Sequence, residues 1–207
     1  MALRNTVIAD IYLRLIDKFI LPQLTRRSIT PNQITICGLI LAILVPWGFY
    51  LHPVIGFVIM GLSGMTDSLD GLIARNRGME SAFGAFLDSS LDRVSDFFYL
   101  TGFWVLFWEQ ETVIFASIMI FLSFLFTFMI SYLKAKAEIL SCVCNVGLME
   151  RGLRTVYLLV WALALSILPQ LLYEILWAGL ILYALLTFLT MVQRVVQIRS
   201  NLKHPQV

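Results

Sequence analysis

Apolar residues in this chain come in blocks of roughly twenty, the length that crosses a bilayer as a helix, with short polar breaks between them. The first block runs from Asn32 to Leu51 without a charge. Thr30-Pro31 ahead of it supplies an N-cap residue and a proline at the first helical position. Pro53 opens a second block that continues to Arg75, a third covers Ser81 to Trp108, and a fourth covers Thr112 to Leu133, its helix running on through Lys134 and Lys136 to Glu138. A short loop over 139–149 follows, then a fifth block from Arg154 to Leu168 that begins as a helix near Leu148, and a sixth from Leu171 to Val196. Upstream, residues 6–23 are amphipathic: Ile8, Ile11, Tyr12, Leu15, Phe19 and Ile20 share a face while Asp10, Arg14, Asp17 and Lys18 lie largely off it. That pattern suits a helix lying in the membrane interface, and a soluble partner-binding helix is the blander reading.

The fold class expected is an all-α integral membrane protein with six transmembrane helices and an N-terminal interfacial amphipathic helix. Residues 1–29 form the juxtamembrane helix, 30–200 the transmembrane domain and 201–207 a tail. Composition agrees: 59% of the 207 residues are hydrophobic and 14% are charged, outside the soluble range. The net charge of +2 is too small to argue for nucleic acid. Its distribution says more than its sum. Every Lys and Arg except Arg93 falls in the N-terminal segment, the Arg75–Glu80 turn, the Lys134–Arg154 connection or the Arg194–Lys203 tail, and the opposite side carries only Glu109, Glu111 and Glu174. The positive-inside rule then places both termini and the basic turns in the cytoplasm. No cleavable signal opens the chain, and Cys37, Cys142 and Cys144 read as free thiols of a reducing compartment.

Four carboxylates break the apolar pattern: Asp67 and Asp70 at i, i+3 in the second block, Asp88 and Asp92 at i, i+4 in the third. Each pair therefore shares a helix face. Four such acids would oppose insertion by on the order of 10 kcal/mol, less near an interface. Asp67 lies eight residues before Arg75 and Asp88 eight after Glu80, so at 1.5 Å per residue both pairs stand about 12 Å from the turn, facing across a hairpin. Gly64, Gly71, Gly84 and Ala74, Ala82 and Ala85 keep these helices slim. Acids so crowded either hold protons or bind metal, and an oxygen-only donor set points to Mg²⁺, Mn²⁺ or Ca²⁺. Two metals sharing carboxylates suit phosphoryl transfer, Arg75 would hold a diphosphate, and a free carboxylate would take the proton of an attacking hydroxyl.

Asp67, Asp70, Gly71, Ala74, Arg75, Gly84, Asp88 and Asp92 match D-x2-D-G-x2-A-R-x8-G-x3-D-x3-D at every position and gap. In this the chain resembles the CDP-alcohol phosphotransferases. The resemblance implies that Asp67, Asp70, Asp88 and Asp92 hold two Mg²⁺ ions, with Mn²⁺ as an alternative, and that Asp92 is also the general base. It implies a CDP-lipid pocket of Thr30, Pro31, Asn32, Gln33, Gly71, Ala74, Arg75, Ser81 and Gly84, a homodimer, and transfer of a phosphatidyl-type group from CDP-diacylglycerol or an ether analogue to an alcohol with release of CMP. Ser131, Lys134, Arg151 and Arg194 are similar to the residues with which the phosphatidylinositol-phosphate synthase branch holds an anionic acceptor, so inositol 1-phosphate is the acceptor expected. Glycerol 3-phosphate would satisfy the same cations.

Lys134, Lys136, Arg151 and Arg154 also read as ordinary cytoplasmic flanking charges. Asp96 continues the stripe of Asp88 and Asp92 by one turn and reads as a partner for Arg93. From another class, a divalent-cation transporter would use the same acids, but the last three blocks offer it no acid within the membrane. A catalytically dead relative would not keep the motif complete.

Overall fold

The computed structural model describes residues 30–203, apart from the side chain of Asn76, and all regular structure in that range is helical. The helices are α1 (Pro31–Leu51), α2 (Pro53–Asn76), α3 (Ala82–Val105), α4 (Val113–Ile139), α5 (Arg151–Ile167) and α6 (Leu172–Lys203), with a 3₁₀ turn at Pro169–Leu171 before α6. Each expected block becomes one helix. The N-terminal amphipathic segment and the last four residues of the tail lie outside the described residues. α1, α2 to Arg75, α4 and the segment Pro169–Lys203 are long and apolar enough to cross a membrane. α3 has the length, but it carries Asp88, Asp92, Arg93 and Asp96. α5, at 17 residues, is about 26 Å long and carries Arg151 and Arg154. This is a membrane protein whose described chain offers four such spans.

Local chemistry sets the starts and turns. The Thr30 N–H donates to Gln33 Oε1 at 2.9 Å and the Gln33 N–H to Thr30 Oγ1 at 3.4 Å. This reciprocal capping box holds the first turn of α1. Between α2 and α3 the chain reverses at Gly78, whose φ of +61° favours glycine.

The described chain falls into two compact units. The first comprises residues up to Ile43 together with Met60–Ser95. In it α1 and α2 approach closely at Gly38, where a Cβ would collide with Thr66 Oγ1 and where the Gly38 carbonyl accepts from Ser63 Oγ at 2.8 Å. The second comprises Leu44–Ile59 and Asp96 onward. Its core is aromatic: Phe103 stacks on Trp161 at 3.9 Å between centroids and lies 5.0 Å from Phe49. Trp161 is further fixed because its indole N–H donates to Ile175 O at 3.0 Å. α4 and α6 share a buried bond between Thr127 and Tyr183 hydroxyls at 2.9 Å.

A Cβ on Gly179 would land on the Trp161 indole. The ring cannot retreat, being stacked on one side and hydrogen-bonded on the other. Gly179→Ala is therefore expected to destabilise the protein by about 1–3 kcal/mol despite the better helix propensity of alanine. A lowered thermal denaturation midpoint in detergent checks this; an unchanged or raised midpoint contradicts it.

Candidate active site

The site lies in the first unit. α2 and α3 are helical through the motif, so the i, i+3 and i, i+4 spacings bring carboxylates to shared faces. Asp67, Asp88 and Asp92 converge, each offering one carboxylate oxygen, with these atoms within 4.8 Å of one another and all three side chains half-buried. Opposite ligands of one ion stand at twice the metal–ligand distance, about 4.2 Å for Mg²⁺ and about 4.8 Å for Ca²⁺. The trio therefore fits a hard divalent cation after a shift of a few tenths of an ångström, and its all-oxygen donor set does not suit zinc or copper.

Asp70 stands apart from that trio. It is 5% exposed, deeper than the other three. Thr35 Oγ1 donates to its Oδ2 at 2.6 Å and the Gly71 N–H to its Oδ1 at 2.6 Å. The quartet read from the sequence is thus three converging acids and a fourth anchored on both oxygens. A carboxylate offers about four lone-pair sites, so two remain for another partner.

Asp70 and Asp88 both line a cavity of about 530 Å³ whose wall also includes Pro31, Asn32, Gly71, Ala74, Arg75, Ser81 and Gly84. Seven of the nine residues expected to form the CDP-lipid pocket are therefore brought together around it. Thr30 and Gln33 are not on its wall; their side chains close the capping box instead. The Ser81 hydroxyl accepts from the Gly84 N–H at 2.9 Å, and a Cβ on Gly84 would press on that hydroxyl at 3.0 Å. Glycine here keeps Ser81 in place and the wall open. A Cβ on Gly71 would meet only the Arg75 guanidinium, at 3.8 Å. Arg75 is exposed at this wall, a position from which its fork can engage an anion. Thr35 lines the cavity too and was not singled out in the sequence.

The residues expected to hold the acceptor lie in the second unit. Ser131 and Arg151 are half-buried and Lys134 is exposed. Arg194 is 2% exposed; its Nε donates to Val146 O at 3.2 Å and its Nη1 to Ile130 O, next to Ser131, at 2.6 Å. Arg154, read as a plain flanking charge, is buried instead. Its guanidinium pairs with Asp96 Oδ2 at 3.0 Å and donates to Met149 O at 3.1 Å. The partner expected for Asp96 was Arg93, on the same helix; the structure gives Arg154, 58 residues away. Gly147, at φ +109°, lies against Thr190, where a Cβ would clash, and the Met149 N–H donates to Thr190 Oγ1 at 3.2 Å.

A family model described as CDP-alcohol phosphatidyltransferase matches residues 28–191. An archaetidylinositol phosphate synthase of Pyrococcus horikoshii is 32% identical over 181 residues, covering 85% of this chain and 87% of that protein. Among solved structures, a phosphatidylinositol phosphate synthase of Mycobacterium tuberculosis with CDP-DAG bound superposes with a TM-score of 0.74 at 28% identity, covering 86% of this chain and 91% of that one. The same enzyme in complex with manganese and citrate gives a TM-score of 0.75 at 28% identity, covering 87% and 88%.

Proposed function

This chain belongs to the CDP-alcohol phosphatidyltransferase family, and we propose that it transfers the phosphatidyl-type group of a CDP-lipid to a hydroxyl of inositol 1-phosphate, releasing CMP. The observation that carries the reading is the convergence of Asp67, Asp88 and Asp92 beside a cavity walled by Asp70, Gly71, Arg75 and Gly84. Two features of relatives support it: CDP-DAG in the mycobacterial enzyme and an inositol phosphate product in the archaeal and mycobacterial names.

Asp67, Asp88 and Asp92, together with Asp70, would hold two Mg²⁺ ions, Mn²⁺ serving as an alternative, by analogy with the manganese complex of the relative. Bound there, divalent cations neutralise diphosphate oxygens and position them for in-line displacement. The chain's own groups do the rest. Gly71, Ala74 and Gly84 leave room for the nucleotide, Pro31, Asn32 and Ser81 line it, Thr30 and Gln33 hold the first turn of α1 that carries Pro31 and Asn32, and Arg75 meets the diphosphate. Asp92 accepts the acceptor's hydroxyl proton as its oxygen bonds to the lipid-side phosphorus. The bond from that phosphorus to the bridging oxygen breaks, and CMP leaves with the electron pair. Ser131, Lys134, Arg151 and Arg194 would hold the acceptor's phosphate.

Six membrane passes belong to this reading, with residues 1–29 as an interfacial helix, 30–200 as the catalytic domain and 201–207 as a tail. So do a homodimer, and a catalytic side and both termini facing the cytoplasm.

The test is CMP release by the purified full chain in lipid, with CDP-diacylglycerol or its ether analogue, Mg²⁺, and a panel of alcohols. Inositol 1-phosphate is expected to give at least a tenfold higher kcat/KM than glycerol 3-phosphate, about 1.4 kcal/mol of discrimination. Preference for glycerol 3-phosphate would reassign the acceptor, and no CMP from any alcohol would overturn the reaction.

A further inference from the structure

We propose that Thr35 is a positioning residue for the metal-and-diphosphate site, acting by fixing the carboxylate of Asp70 from α1. The inference rests on the reaction proposed above and adds a residue outside the motif. The Thr35 hydroxyl lies 2.6 Å from Asp70 Oδ2 and 3.1 Å from Pro31 O. A hydroxyl has one proton to give, and the shorter, charge-assisted contact is the one that takes it. Threonine in a membrane helix normally satisfies itself on a carbonyl one turn back, which here would be Pro31 O. Thr35 has that acceptor within reach and is nonetheless placed tightly on an acid of the neighbouring helix.

The consequence is geometric. With the Gly71 N–H on Oδ1 and Thr35 on Oδ2, Asp70 cannot turn about its Cβ–Cγ bond without losing a hydrogen bond. Its remaining lone pairs are held in a fixed direction within the cavity it shares with Asp88. A freely rotating acid would spend that order on each binding event, and a neighbouring hydroxyl removes the need. Groups that orient a metal-binding carboxylate typically change metal affinity about 10–100-fold when removed. Thr35 also ties α1, which brings Pro31 and Asn32 to the cavity wall, to α2, which brings Asp70, Gly71 and Arg75.

The experiment compares the parent chain with Thr35→Val, which keeps the shape and loses the donor, and Thr35→Ser, which keeps the donor. Mn²⁺ binding is read directly from the free-ion electron paramagnetic resonance signal, CMP release is titrated with Mg²⁺, and the thermal midpoint is recorded without metal. Thr35→Val is expected to weaken Mn²⁺ binding and raise the half-saturating Mg²⁺ concentration about 10–100-fold. Thr35→Ser should restore parental metal affinity within about threefold, being the conservative replacement at an orienting position. Metal affinity within twofold of the parent in Thr35→Val overturns the proposal. So does a thermal midpoint lowered equally in both variants with unchanged affinity, which would make Thr35 a packing residue. A parent chain that binds Mn²⁺ but releases no CMP refutes the proposed reaction and leaves the metal-affinity comparison intact.

Discussion

Asp92→Asn should abolish measurable CMP release, lowering kcat by about 10²–10⁴-fold, the usual contribution of a positioned general base. The amide keeps the size of the side chain and cannot take a proton. The same substitution removes one of three converging oxygens that lie within 4.8 Å of one another, so Mn²⁺ binding, read from the free-ion electron paramagnetic resonance signal, should weaken as well. Activity within tenfold of the parent would remove Asp92 from the base role, and unchanged Mn²⁺ affinity would remove it from the metal site.

The second large effect is expected at the Asp96–Arg154 pair. Both side chains are at most 5% exposed and their atoms stand 3.0 Å apart. Removing one partner strands a charge in a dry interior, which costs about 3–5 kcal/mol. Asp96→Leu and Arg154→Met alone should each lower the denaturation midpoint sharply. The double variant should recover most of the loss, because it removes both charges and fills the space with apolar atoms. Arg154→Met also releases the Met149 carbonyl, and among the described residues the buried Arg154 Nε finds no hydrogen-bond partner even in the parent. A double variant as damaged as the worse single one would show that the bond to Met149 matters more than the ion pair.

The acid trio and the Asp96–Arg154 pair differ in how far the chain alone reveals them. The motif acids were legible because a carboxylate inside an apolar helix is expensive, and the helical period alone says which of them share a face. Thr30-Pro31 announced the start of α1 through cap chemistry, and the six blocks became six helices within a few residues. Asp96 was legible as an acid in need of a cation, but not its cation. The helical period proposed Arg93 on the same helix, whereas burial joined it to Arg154, and no local pattern encodes a pairing across 58 positions. Arg154 was hidden for a related reason, since a cation at the mouth of a membrane helix is already explained by topology. Thr35 was hidden because a threonine can bond its own helix, so its presence in an apolar run demands nothing. Thr30 and Gln33 show the converse: the capping box and the nucleotide pocket draw on the same four letters, and only coordinates say which side chains each one uses.

The segment joining α4 to α5 has no regular structure of its own, yet Arg194 holds its Val146 carbonyl, Arg154 its Met149 carbonyl and Asn201 its Val143 carbonyl at 2.7 Å. It behaves as a seam stitched from both sides. An epitope or fluorescent module grafted at 143–149 should therefore unseat two buried guanidinium groups at once. The turn at 108–112, mostly exposed and held by short-range backbone bonds such as Gln110 N–H to Phe107 O at 2.9 Å, is the better graft point.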